Sequence, residues 1–285
     1  MTVELIIPAR DGFGLGATLF ETAAQRKGVV VVNSATAVKR GYYSRFSQWL
    51  SAQGYDVVTY DYRGIGGSRP VGSLRRFNGT VSQWGAEDFA GVLEWASRER
   101  NSPKVLLVAH SIGGQILGLA HNADKVAAAL CVASQSGDWR LWPTLRGKAK
   151  MALYMYAMLP AVGAALGYVP GRFGMGEDLP ATVAAEWARW CRTRGYLLGD
   201  DGSRRAGYAR IRAPILAYSF SDDGYAPRET VAAWLDFFPN AQVSHRHLVP
   251  AEAGAKEVSH FGFFRPAFEQ TLWHDAAKWL GSIAA

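Results

Sequence analysis

Lys104–Gly118 reads K-V-L-L-V-A-H-S-I-G-G-Q-I-L-G: an apolar run ends at Ala109, Ser111 follows, and Gly113 and Gly114 open a second apolar segment. An unbroken apolar run of this length is the mark of a strand covered on both faces. The small residues after it predict a sharp strand-to-helix turn with a serine at its apex. Such a turn strains the serine backbone, so the flanking side chains must be small. Gly113 meets that need, and Ala109 stands where a G-x-S-x-G spacing would have its first glycine. The helix that starts near Gly113 aims its positive end at the serine, which places the Ile112 N–H to meet a developing oxyanion.

Working outward, similar apolar runs occur at Gly28–Val32, Tyr55–Tyr60, Val126–Ala133 and Pro214–Phe220. Between the second and the serine-bearing strand, Phe89, Val92, Leu93 and Ala96 fall at helical spacing, with Ser82 available as an N-cap. Strands alternating with helices predict a mostly parallel sheet in an α/β fold. Val3–Ile7 and Leu15–Glu21, either side of the turn-rich A-R-D-G-F-G, predict an antiparallel hairpin at its N-terminal edge. After Ala133 the strand signal stops until Pro214, so residues 136–212 are expected to form a helical cap inserted into a core made of 1–135 and 213–285.

Composition narrows the function classes. The 285 residues are 49% hydrophobic and 19% charged with a net charge of +7, which excludes disorder, and the 31 glycines show no collagen-like period. Residues 136–212 hold twelve Lys+Arg against six acids, so most of the basic surplus belongs to the insertion. It forms no nucleic-acid-binding module and reads as a solvated helical face. Cys131 and Cys191 lie far apart in unlike contexts, and the N-terminus has no basic and apolar leader pattern, so a reducing, cytoplasmic setting is expected. Met151–Gly171 carries no charge and would suit a membrane span by length. Pro160 falls in its middle, which predicts two short buried helices. A span there would also leave Ser111 on one side of a bilayer and the residues that must serve it on the other. A helical cap is expected instead, with contact to a membrane surface as a secondary option.

Three further motifs follow the same order along the chain: D-Y-R-G-I-G-G-S at Asp61–Ser68, S-D-D-G-Y-A-P with Asp222, Asp223 and Pro227, and V-S-H-F-G-F-F-R-P at Val258–Pro266. With the serine turn, they resemble the α/β-hydrolase superfamily over nearly the whole chain. Within it, the chain looks most like capped monoacylglycerol-lipase-like and prolyl-iminopeptidase-like hydrolases. The resemblance selects Asp223, which has proline four residues on, and His260, and it implies a triad in the order Ser111, Asp223, His260. In that scheme His260 takes the proton of Ser111, and Asp223 fixes the imidazole tautomer and stabilises its cation. The usual His-Gly of the first oxyanion loop is replaced by N-S-A-T-A at Asn33–Ala37, which leaves Ala35, or alternatively Thr36, as the second N–H donor beside Ile112.

Serine in place of aspartate at the turn disfavours dehalogenase and epoxide hydrolase branches. The expected activity is hydrolysis of carboxylic esters through an acyl-enzyme, with neither metal nor cofactor, on a small-molecule substrate with an apolar acyl part. Peptidase, lactonase, thioesterase and acyltransferase chemistry share the triad, and a ligand-binding receptor on the same fold is the rival of another class. Tyr154, Met158, Trp187 and Trp190 are the expected pocket residues, the two tryptophans by their i, i+3 spacing on one helix. His245 and His247 alternate along a strand without a third metal ligand.

Overall fold

The computed structural model describes residues 1–285 apart from Pro103, Gly174, Met175, Asp200 and Ala285. The strands, in chain order, are β1 (Thr2–Pro8), β2 (Gly14–Phe20), β3 (Gly28–Asn33), β4 (Tyr55–Tyr60), β5 (Val105–His110), β6 (Val126–Val132), the short β7 (Tyr168–Val169) and β8 (Leu179–Pro180), then β9 (Ile215–Phe220) and β10 (Val243–Leu248). Eight of them form one sheet in the order β1-β2-β4-β3-β5-β6-β9-β10, while β7 and β8 pair only with each other. The hairpin β1–β2 and the β2–β4 pairing are antiparallel, and the remaining neighbours are parallel. Every residue of β4, β5 and β9 is buried. That explains their continuous apolar runs: strands packed by helices on both faces have no solvent side on which to alternate. The edge strand β10 is part-exposed and correspondingly polar.

The helical segment 81–99 packs across β1, β3 and β5, and its cap differs from expectation. Thr80 is the N-cap: its hydroxyl accepts from the Gln83 N–H, and the Gln83 side chain accepts from the Thr80 N–H. The Ser82 hydroxyl instead donates to Glu186 at 2.7 Å, tying this segment to the 136–212 insertion.

The turn after β4 explains its glycine-rich motif. Asp61 accepts from the N–H groups of Arg40 and Gly67, pairs with the Arg40 guanidinium, and sits so close to Gly66 (φ +46°) that a Cβ there would lie 2.6 Å from its carboxylate. Beyond it Arg63, only 4% exposed, bridges the buried Asp88 at 2.6 Å and Asp11 at 2.8 Å. Burial pushes the Asp88 carboxyl up to about 7 against the pull of Arg63.

Between β6 and β9 the chain forms the helices Leu145–Leu166, Ala181–Arg192 and Gly202–Ala209. Leu145–Leu166 corrects the expectation of two short buried helices. It runs unbroken through Pro160 because the preceding turn, Tyr154–Met158, is a π turn in which the Leu159 N–H reaches back to the Tyr154 carbonyl. The wider turn relieves the clash that a proline ring makes with the carbonyl four residues before it, here that of Tyr156. Its inner side, with Met155, Leu159 and Gly163, is buried, and much of the rest is exposed. It is the one described helix long and apolar enough to cross a membrane.

Candidate active site

Ser111 stands between β5 and the short helix Ile112–Gln115 with φ +53° and ψ −117°, a backbone conformation that non-glycine residues adopt only under constraint. Two contacts hold it there. The Ser111 N–H donates to the Val132 carbonyl at 2.9 Å. The helix after it is pressed so tightly on β3 that a Cβ at Gly113 would lie 2.5 Å from the Asn33 carbonyl oxygen. The requirement for small residues is therefore met from a neighbouring strand as well as within the turn itself.

The loop after β9 brings Asp223 to His260. The carboxylate Oδ2 lies 2.8 Å from His260 Nδ1, and Oδ1 accepts from the N–H groups of Tyr225 and Ala226 at 2.8 and 3.0 Å. The neighbouring Asp222 makes no described bond to the imidazole. Its Oδ2 accepts from the Val258 and Ser259 N–H groups, clamping the histidine loop to the acid loop. Ser111, Asp223 and His260 are all at least 94% buried. Ser111 and His260 line one small cavity of about 60 Å³ with Ala35, Thr36, Gln135, Trp187, Tyr225 and Phe261. No hydrogen bond joins Ser111 to His260 among the described residues; in ligand-free sites the nucleophile–base contact is often long and tightens when substrate arrives.

His110 and Tyr43 form a connection that sequence reasoning missed. His110 is fully buried and its pKa is driven well below the ordinary 6.5, by burial first and by the nearby His260 second, so the ring is neutral. Its Nε2 lies 2.9 Å from the His260 carbonyl, which can only accept, so Nε2 carries the proton and Nδ1 accepts from the Tyr43 hydroxyl at 2.9 Å. The Tyr43 oxygen in turn accepts from the Ala35 N–H at 2.8 Å. The residue before the serine thus fixes the main chain of both the histidine loop and the loop after β3.

That chain corrects the assignment of Ala35 as second oxyanion donor, because its amide is already committed to Tyr43. The Thr36 N–H, on the same cavity wall, makes no hydrogen bond among those described. Of the four expected pocket residues only Trp187 lines the cavity. Tyr154 and Met158 are part-buried in the insertion, and burial raises the Tyr154 hydroxyl to about 12. Trp190 is 2% exposed, edge-on to Tyr196 at 6.0 Å, with the Arg204 guanidinium 5.0 Å from its ring, so it is a packing residue. Gln135, Tyr225 and Phe261 are wall residues that sequence reasoning did not single out: Tyr225 and Phe261 lie inside the acid-loop and histidine-loop motifs, and Gln135 lies in none. Gln135 is held by Gln115, whose side chain also receives the Tyr196 hydroxyl of the insertion.

His245 and His247 both bond to the Ser219 hydroxyl at 2.7 Å, and no group of three or more metal-ligating side chains forms among the described residues. Burial lowers both, His245 to about 4. A histidine whose folded pKa lies below its unfolded value leaves the unfolded chain binding more protons, so stability is lost as pH falls below 6.5. Asp88 opposes this by one proton at most, against three histidines. Melting temperature is therefore expected to fall from about pH 7 to about pH 5, each unopposed proton contributing up to about 1.4 kcal/mol per pH unit. A thermal melt series that is flat or rises toward acid would refute this.

With this geometry in view, residues 29–268 match the alpha/beta hydrolase family. The chain belongs to that family, a class of hydrolytic enzymes. Solved structures with the same fold include a soluble variant of monoglyceride lipase from Saccharomyces cerevisiae in complex with a substrate analogue. It is 14% identical with a TM-score of 0.71, over 97% of this chain and 96% of that one. The esterase domain of a Rhodothermus marinus protein is 16% identical with a TM-score of 0.64, over 100% of both chains. Est1E from Butyrivibrio proteoclasticus with bound ferulic acid is 14% identical with a TM-score of 0.61, over 97% of both. No curated protein matches the sequence.

Proposed function

We propose that the protein is a serine hydrolase of small carboxylic esters. Ser111 attacks the ester carbonyl while His260 takes its proton, with Asp223 holding Nδ1 protonated and stabilising the imidazolium. The amides of Ile112 and Thr36 receive the oxyanion, His260 returns the proton to the leaving alcohol, and water releases the acyl group by the same route. The insertion 136–212 acts as the cap. The observation that carries this reading is the Asp223–His260 bond opening onto the same buried cavity as a serine held at φ +53°.

Cavity size refines the substrate. At about 60 Å³, between Trp187, Tyr225 and Phe261, it is far below the several hundred Å³ of sites that take drug-sized ligands, so a short acyl group fits and a long one does not. A fluorophosphonate probe is expected to modify Ser111, and p-nitrophenyl esters are expected to turn over repeatedly. Their kcat/KM should fall at least about tenfold from acetyl to octanoyl. Trp187→Ala should flatten that series. Labelling without turnover would favour a receptor, and a preference for octanoyl would overturn the short-acyl assignment.

A further inference from the structure

The helix Leu145–Leu166 is attached to the molecule along one side only. Gly163 packs on Ala181, and Met155 and Leu159 are buried, whereas Leu145, Leu153 and Tyr156 are 85%, 67% and 52% exposed. Ala149, Ala157, Ala161 and Ala164 are also exposed and fall on the same outward side at three- to four-residue spacing. A 22-residue helix is about 33 Å long, and most of its outer face is bare apolar surface.

Cations stand at both ends of that face. Arg146, Lys148 and Lys150 occupy the first turns, and at the far end Arg75 packs against Gly167 with Arg76 exposed beside it. None of these five takes part in a described ion pair. Elsewhere in the insertion Arg140, Arg189 and Arg204 pair with Asp138, Glu186 and Asp201. At the middle of the face, the Arg192 guanidinium sits 5.4 Å from the Tyr156 ring.

We propose that this face lies flat on an anionic lipid bilayer, its apolar stripe entering the headgroup–acyl boundary and its end cations meeting lipid phosphates and carboxylates. An apolar stripe flanked by unpaired Lys and Arg is the pattern that binds in the plane of such a surface. A second copy of the chain fits the charge poorly. Because both ends are basic, packing two of these helices parallel or antiparallel sets cations against cations, and a bilayer of negative charge satisfies both ends at once. The helix keeps its buried side on the protein, so it rests on the membrane without crossing it.

Vesicle flotation of the full chain tests this without reference to catalysis, so its failure leaves the ester-hydrolase reading untouched. The protein is expected to float with phosphatidylcholine vesicles containing about a third phosphatidylserine, and to be released at about 0.5 M salt. It should float at least about tenfold less with phosphatidylcholine alone. Leu153→Glu with Tyr156→Glu should lower binding to the anionic vesicles at least about tenfold with the protein still folded by circular dichroism, since Leu153 is exposed and Tyr156 half-exposed against Arg192. Arg146→Glu with Lys150→Glu should do the same. Absence of flotation, equal flotation with both vesicle types, or a dimer in solution that the Leu153→Glu/Tyr156→Glu variant dissolves would overturn the proposal.

Discussion

Ser111→Ala is expected to lower turnover of a short p-nitrophenyl ester by about 10⁴-fold or more while leaving the protein folded. The size of the loss follows from what remains. The Asp223–His260 pair and the free amides would persist, but nothing would form the acyl-enzyme, so the reaction would be left to water. Asp223→Asn should cost a comparable factor for another reason. An amide can present an N–H to Nδ1, which favours the tautomer with the proton on Nε2 and removes the base facing Ser111. The Asp222 clamp on the histidine loop would survive that substitution. Steady-state kinetics on purified protein decide both, and an alanine variant keeping more than about a tenth of wild-type turnover would remove Ser111 from the mechanism.

The largest stability effect is expected at Arg63, far from any reacting atom. Arg63→Ala would leave Asp88 buried without its counterion and should cost about 3–5 kcal/mol, read as a lower denaturation midpoint. The loss should grow with pH, because in acid the stranded carboxyl takes a proton and sheds its charge. Replacing both partners by apolar side chains, Arg63→Met with Asp88→Leu, should recover much of it, since an ion pair at this depth repays little more than its own desolvation. Effects on turnover would be indirect: Trp84 Nε1 donates to the Arg63 carbonyl, and the adjacent Tyr62 hydroxyl donates to the Ser34 carbonyl, in the loop after β3 that also holds Thr36. Equal loss in the single and double variants would show that the site matters for packing and not for charge.

Much of this architecture is legible in the amino-acid order, and the part that is not has identifiable physical causes. The interior strands announce themselves because they are covered on both faces, and the serine turn because strain demands small neighbours. The gap between Val126–Ala133 and Pro214–Phe220, where strand signal gives way to helix, corresponds to the helices and the short β7–β8 pair that lie between β6 and β9. The link from Ala35 through Tyr43 to His110 is invisible in one dimension. Positions 43 and 110 meet only after β3 and β5 pair, so the amide that looked free by position is taken. Trp187 and Trp190 share a helix, yet the angle between them is enough to put one on the cavity and the other in the core. Pro160 misled because the rule that proline breaks a helix assumes an α turn before it, and here that turn is wider.

The left-handed backbone at Ser111 has a consequence for how the sequence can drift. Glycine would occupy that φ without penalty, so the backbone itself favours a residue that cannot attack anything, and on the proposed mechanism only a requirement for the hydroxyl would keep serine there. If Ser111 is the nucleophile proposed here, the attacking group stands at the spot where folding alone would do without one.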